Sequence, residues 1–149
     1  MPPQTRYDPA VGLGLLRPLA ARVPFTLESP ALLERSSQPD TYAGDADARL
    51  YWIDGHHRAV RLVFVTGAGA FWGVEETDLP SPPILEAPSY SRYVGGRKFQ
   101  FYYAGKNLHM IVLRDGAASY WVVNTLLNSL SSETMIAIAR GLQPLHAGR

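Results

Sequence analysis

Cysteine is absent from the chain. This excludes disulfides, thiolate nucleophiles and cysteine-based zinc sites together, although it does not fix the compartment. Excess charge of either sign is also missing. With 14 basic and 13 acidic residues the net charge is +1, so no global field steers the chain toward nucleic acid. There is no long hydrophobic run. Residues 11–20 (VGLGLLRPLA) are apolar, but Gly12, Gly14, Arg17 and Pro18 interrupt them, well short of the ~20 residues a membrane-spanning helix needs. Neither a signal peptide nor a membrane span is expected. No repeat, heptad, low-complexity tail or linker divides the sequence, so a single domain is expected. At 149 residues, 46% of them hydrophobic and 18% charged, the chain is of ordinary globular composition. Such a length can bury roughly two thirds of its unfolded surface.

The most ordered reading falls on residues 97–142. Phe99, Phe101 and Tyr103 alternate with Lys98, Gln100 and Tyr102, the period of a strand with one face buried. A turn at 104–107 leads into a second strand over 108–113. Asp115-Gly116 then demands a tight antiparallel return through 119–124, where Tyr120, Trp121, Val122 and Val123 suit a pleated surface. A helix follows with clear ends. Ser131 is its N-cap, Glu133 lies beside the positive end of the dipole, and Leu130 with Met135 forms a hydrophobic staple. Met135, Ile138, Ala139 and Leu142 make one apolar stripe, while Gly141 and Pro144 end the helix.

These residues carry a resemblance. YYAGKNLHMIVLRDGAASYWVVNTLLNSLSSETMIAIARGL (102–142), with RLVFVTGAGAFWGVEETDLPSPPIL (61–85) and GGRKFQFYY (95–103), resembles an accessory extracytoplasmic domain of LytR-CpsA-Psr cell-envelope proteins of Gram-positive bacteria. The strand-then-helix ending is also similar to bacterial lipoprotein and sigma-factor-regulator domains. The resemblance implies an extracytoplasmic or cell-envelope address and a non-enzymatic role. The phosphoryl-transfer residues of those proteins lie in a separate catalytic domain with no matching segment here.

Toward the start, residues 1–23 read as a Pro-rich arm (1–7) and a short helix opened by Asp8-Pro9, with Val11, Leu15 and Leu19 on one side. Residues 24–149 form the domain proper. Strands are expected at 24–29, 49–53, 60–66, 71–76 and 90–94, with an irregular connection at 30–45 and a proline-rich loop at 79–88. The expected fold class is therefore α+β: a single domain with a mostly antiparallel sheet of about seven strands and a C-terminal helix packed on one face.

Chemistry is sparsely signalled. Gly67-Ala68-Gly69 lacks a phosphate-loop context and reads as a turn. His56 and His57 beside Asp54 read as a hairpin tip rather than a metal site. Glu75, Glu76 and Asp78 read as a solvated acidic turn, and Ser131 and Ser132 as caps. Trp52, Trp72 and Trp121 lie on strands and are expected in the core. No catalytic residue, cofactor or metal is assigned.

One segment is locally basic and aromatic. Arg92, Arg97, Lys98, Tyr102 and Lys106 are the candidate polymer-binding residues, on the expectation that Lys98, Gln100 and Tyr102 face outward toward an anionic wall polymer. An envelope protein is the other expected partner, and self-association through the N-terminal arm is a third; nucleic acid is disfavoured. The functional expectation is a non-enzymatic cell-envelope binding or structural module. The alternative is a small ligand-binding or enzymatic domain with a pocket between helix and sheet.

Overall fold

Period-2 alternation sets the architecture. Val60, Leu62 and Phe64 are wholly buried while Arg61 between them is exposed, so one face of their strand is covered and the other is not. The computed structural model describes residues 2–40, 48–85 and 87–145. In chain order the elements are β1 (Thr5–Tyr7), α1 (Pro9–Leu16), a 3-10 segment (Arg17–Arg22), β2 (Glu28–Pro30), β3 (Leu32–Glu34) and β4 (Gln38–Pro39). There follow β5 (Ala48–Trp52), β6 (Arg58–Val65), β7 (Phe71–Thr77), a 3-10 turn (Pro83–Leu85) and β8 (Tyr90–Val94). Last come β9 (Arg97–Ala104), β10 (Asn107–Asp115), β11 (Ala118–Val123), α2 (Ser132–Arg140) and β12 (Leu142–Pro144).

Two meanders, β5–β6–β7 and β8–β9–β10–β11, join where β11 lies antiparallel to β7 with Val122 opposite Val74. Short β4 shares the outer edge of β6 with β5, giving a main sheet of eight strands among the described residues. The protein is thus an α+β domain built mainly of antiparallel strands, with the final helix on one face.

That helix begins as its sequence requires. The Ser131 hydroxyl accepts the N–H of Thr134 at 3.1 Å, and Leu130 and Met135 are both buried. Met135, Ile138 and Ala139 pack onto β10 and β11 in the main core. Gly141 ends the helix at φ −86°, without a left-handed residue. Its role is clearance: a Cβ there would stand 3.3 Å from the Ala137 carbonyl and 3.4 Å from Leu32 Cγ.

The N-terminal third differs from expectation. Residues 5–7 are not a loose arm: β1 pairs with β3, and the N–H of Gln4 donates to Thr134 Oγ1 of α2. The arm is therefore held by its own domain. The helix lies where Asp8-Pro9 placed it, but Asp8 makes no capping bond and instead meets Arg6 at 3.4 Å. Its wholly buried contributor is Leu16, while Val11, Leu15 and Leu19 are partly buried against the core. Gly12 lets α1 approach β2, since a Cβ would fall 2.3 Å from Ser29 Oγ.

The strand expected at 24–29 occupies only 28–30, because its partner is the three-residue β12. The irregular connection expected at 30–45 contains β3 and β4, and its positions 41–45 lie outside the described residues. These strands are two or three residues long and carry no period that alternation can reveal.

The β2–β12 ribbon, α1 and α2 all contribute to the core on one face of the main sheet. The opposite face is covered in part by the proline-rich loop. Its Leu85 packs on Met110, Val112 and Trp121.

Candidate functional site

At the end of the covered face, four carboxyl side chains collect around Tyr120. β7 brings Glu76, the residue after β7 is Asp78, β10 ends in Asp115, and the ribbon supplies Glu28. The N–H of Glu28 donates to Glu76 Oε1 at 2.7 Å, and the Tyr120 hydroxyl donates to the Thr26 carbonyl. Glu28 Oε1, Glu76 Oε2 and Asp78 Oδ1 are buried without a hydrogen bond. Among the described residues the opposite charge here is Arg97, whose Nη2 lies 3.5 Å from Glu28 Oε1 and donates to the Leu142 carbonyl at 3.1 Å.

Glu28 is 2% exposed and Glu76 0%. Burial pushes the Glu28 carboxyl up to about 8, the neighbouring Asp115 adds to the rise, and Arg97 offsets part of it. Burial likewise holds Glu76 well above the carboxylate range. At neutral pH the Glu28 carboxyl is therefore mainly protonated. Tyr120 is also raised, first by burial and then by the carboxyls around it.

A cavity of about 450 Å³ opens onto this cluster. Glu28, Asp78, Asp115 and Tyr120 form its polar wall, and Phe25 and Pro144 are among its apolar lining. Among the described residues, no group of three or more His, Cys, Asp or Glu is arranged to hold a metal ion.

The acidic residues were only partly legible. Glu76, expected with Glu75 and Asp78 in a solvated acidic turn, is instead wholly buried. It sits two residues after Val74 and four after Trp72, on the buried side of β7, so the alternation already pointed it inward. Glu75, on the other side, meets Arg61 at 3.2 Å and accepts from the Tyr51 hydroxyl at 3.0 Å. Nothing local in 24–30 announces Glu28.

The five basic and aromatic candidates do not share one surface. Arg92 stands opposite Phe99 in the ladder, and Arg97 likewise belongs to the covered side, where it is engaged by Glu28 and Leu142. Lys98 and Tyr102 lie on the other side, across from Arg114 and Met110. Tyr102 donates its hydroxyl to the Leu85 carbonyl under the proline-rich loop. Gln100, expected outside, is buried and accepts from Arg114 Nε at 2.7 Å. Lys106 is exposed in the turn between β9 and β10.

Elsewhere, Asp54 organises the turn between β5 and β6. Its Oδ1 accepts the N–H groups of His56 at 2.7 Å and His57 at 2.6 Å, and its carboxylate meets His57 Nδ1 at 3.0 Å. The bond from His56 is the largest cause holding Asp54 below its ordinary value. Residues 67–69 form a hairpin turn with Gly69 at φ +80°. Trp72 and Trp121 are buried, whereas Trp52 is 58% exposed with the Arg58 guanidinium 4.5 Å above its ring.

The fold and site define a small α+β domain with an acid-lined cavity at one end of its sheet. Compared with protein-family models, curated proteins and solved structures, the chain matches none. Among the described residues, no helix is long and apolar enough to cross a membrane.

Proposed function

We propose that this chain is a non-enzymatic binding module of the bacterial cell envelope, holding a wall polymer or an envelope protein. The resemblance of residues 61–142 to accessory LytR-CpsA-Psr domains supports the address. The observation that carries the binding reading is the carboxyl-lined cavity. Among the described residues its lining contains no histidine, serine, cysteine or lysine to pair as the nucleophile and base of acyl transfer. An anionic polymer would have to be held by Arg92, Lys98 and Lys106, which point from different places; the cavity favours a cationic partner.

Purified protein sedimented with isolated Gram-positive cell walls, at low and moderate salt, tests the module. Retention that falls as salt rises is expected. No retention at either salt overturns the reading.

One observation favours a second reading, a glycan-cleaving or ligand-carrying domain. Glu28 carries a proton near neutrality beside Asp115, and a pair of neighbouring carboxyls is the usual equipment of acid–base chemistry. The pocket for it is this end cavity and not the space between α2 and the sheet, which Met135, Ile138 and Ala139 fill. Release of reducing sugar from the same walls would favour it over the binding module.

A further inference from the structure

We propose that the cavity between the β2–β12 ribbon and the end of the main sheet binds an alkylammonium group, such as a lysyl side chain or an amino sugar presents, with Glu28, Asp78 and Asp115 accepting its N–H donors. The inference rests on the binding-module reading and names the chemistry of the ligand.

Three independent features converge on it. The first is an orphaned acceptor: Glu28 is 2% exposed, lines the cavity, and its Oε1 has no hydrogen bond. Such an atom is costly to leave unmatched, and an ammonium group supplies the missing donors and the opposite charge together. Asp78 Oδ1, also in the lining, has the same deficit.

The second is the shape and composition of the cavity. Its volume of about 450 Å³ falls among those of small-ligand sites. Phe25, Pro24 and Pro144 offer apolar walls for a methylene stem beside the carboxyls that would take its head.

The third is that the protein already presses one cation against this cluster. Arg97 reaches Glu28 Oε1 from β9 at 3.5 Å, but its Nη2 also serves the Leu142 carbonyl, so it offsets Glu28 only in part. No three carboxylates among the described residues are arranged for a metal, which leaves an organic cation as the better match.

Protons are linked to this binding. The groups facing Glu28 are Glu76 from β7, Asp115 from β10, Tyr120 from β11 and Arg97 from β9, with Asp78 in the same cavity lining. Glu28 is protonated below about pH 8, so an incoming ammonium must displace its proton. Affinity therefore rises with pH through the neutral range.

The test is calorimetric titration of the purified chain with cadaverine, which stays cationic throughout, and with glutarate as the anionic control. Saturable cadaverine binding is expected, at least tenfold tighter at pH 8 than at pH 6, with heats that depend on the buffer because a proton is released. Glutarate should not bind. The Asp78→Asn/Asp115→Asn double variant and Ala117→Lys, which sets a tethered ammonium at the exposed rim, should each weaken cadaverine at least tenfold.

Absence of saturable cadaverine binding, equal affinity in wild type and both variants, or tighter binding of calcium than of cadaverine each overturns the proposal. Undiminished wall capture by the double variant would also overturn it and leave the module intact. Cadaverine binding without wall capture would instead overturn the module and leave the ammonium site standing.

Discussion

The main-chain N–H of Glu28 donates to a side-chain oxygen of Glu76 2.7 Å away, so the ribbon is tied to the sheet by a carboxyl with no exposure at all. Both acids have folded-state values above their ordinary 4.5, so the folded chain holds more protons than the unfolded one. Stability is then greatest below pH 4.5 and falls as pH rises toward about 8, where Glu28 ionises. Urea unfolding should show a loss of about 2–4 kcal/mol between pH 5 and 8. A Glu28→Gln/Glu76→Gln variant should flatten that slope. Asp54 works in the opposite sense, but its ordinary value is 3.8, so its window lies below this range. A stability that rises from pH 5 to 8 would refute the assignment.

Arg97 and Lys98 are neighbours in sequence with opposite duties. Arg97→Ala removes both the partner of Glu28 and the donor to Leu142, and should cost about 2–3 kcal/mol. Lys98→Ala should stay within about 0.5 kcal/mol, as surface changes usually do. Denaturant midpoints of the two variants check this directly, and equal losses would count against it.

Ile138 anchors α2 and is 0% exposed, whereas Leu126 in the loop before the helix is 96% exposed. Ile138→Asp buries an unpaired charge and should cost at least about 4 kcal/mol, enough to unfold a marginal domain. Leu126→Ser should change stability by less than about 0.5 kcal/mol. Thermal melts followed by circular dichroism decide it: an unchanged midpoint for Ile138→Asp would refute the docking of α2.

Asn124 is the knot of that loop. Its Nδ2 donates to the carbonyls of Leu108 and Leu130, and its Oδ1 accepts the N–H groups of Thr125 and Leu130. Asn124→Ala leaves buried backbone groups unmatched and should cost about 2–4 kcal/mol. Hydrogen exchange should quicken first at the amides of Thr125 and Leu130; uniform exchange across the domain would argue against a local knot.

The seven strands between residues 48 and 123 and the helix at 132–140 were legible because each carries its own period, turn or cap. The strands β1, β3, β4 and β12 were not, and β2 only in part, since two or three residues hold no period and exist only through their partners. The basic candidates were grouped by closeness in sequence, but a strand turns successive side chains to opposite faces. Arg97 and Lys98 consequently serve different sides of the sheet.

By itself, then, the sequence determined the α+β class, the hairpin order of the sheet and the capped final helix, because propensity, alternation and capping act over a few neighbouring residues. Only the tertiary structure decided that Glu28 would meet Glu76, Asp115 and Arg97, with Asp78 in the same cavity wall. Those residues come from segments far apart in the chain, and long-range burial brings their charges together without leaving a local trace.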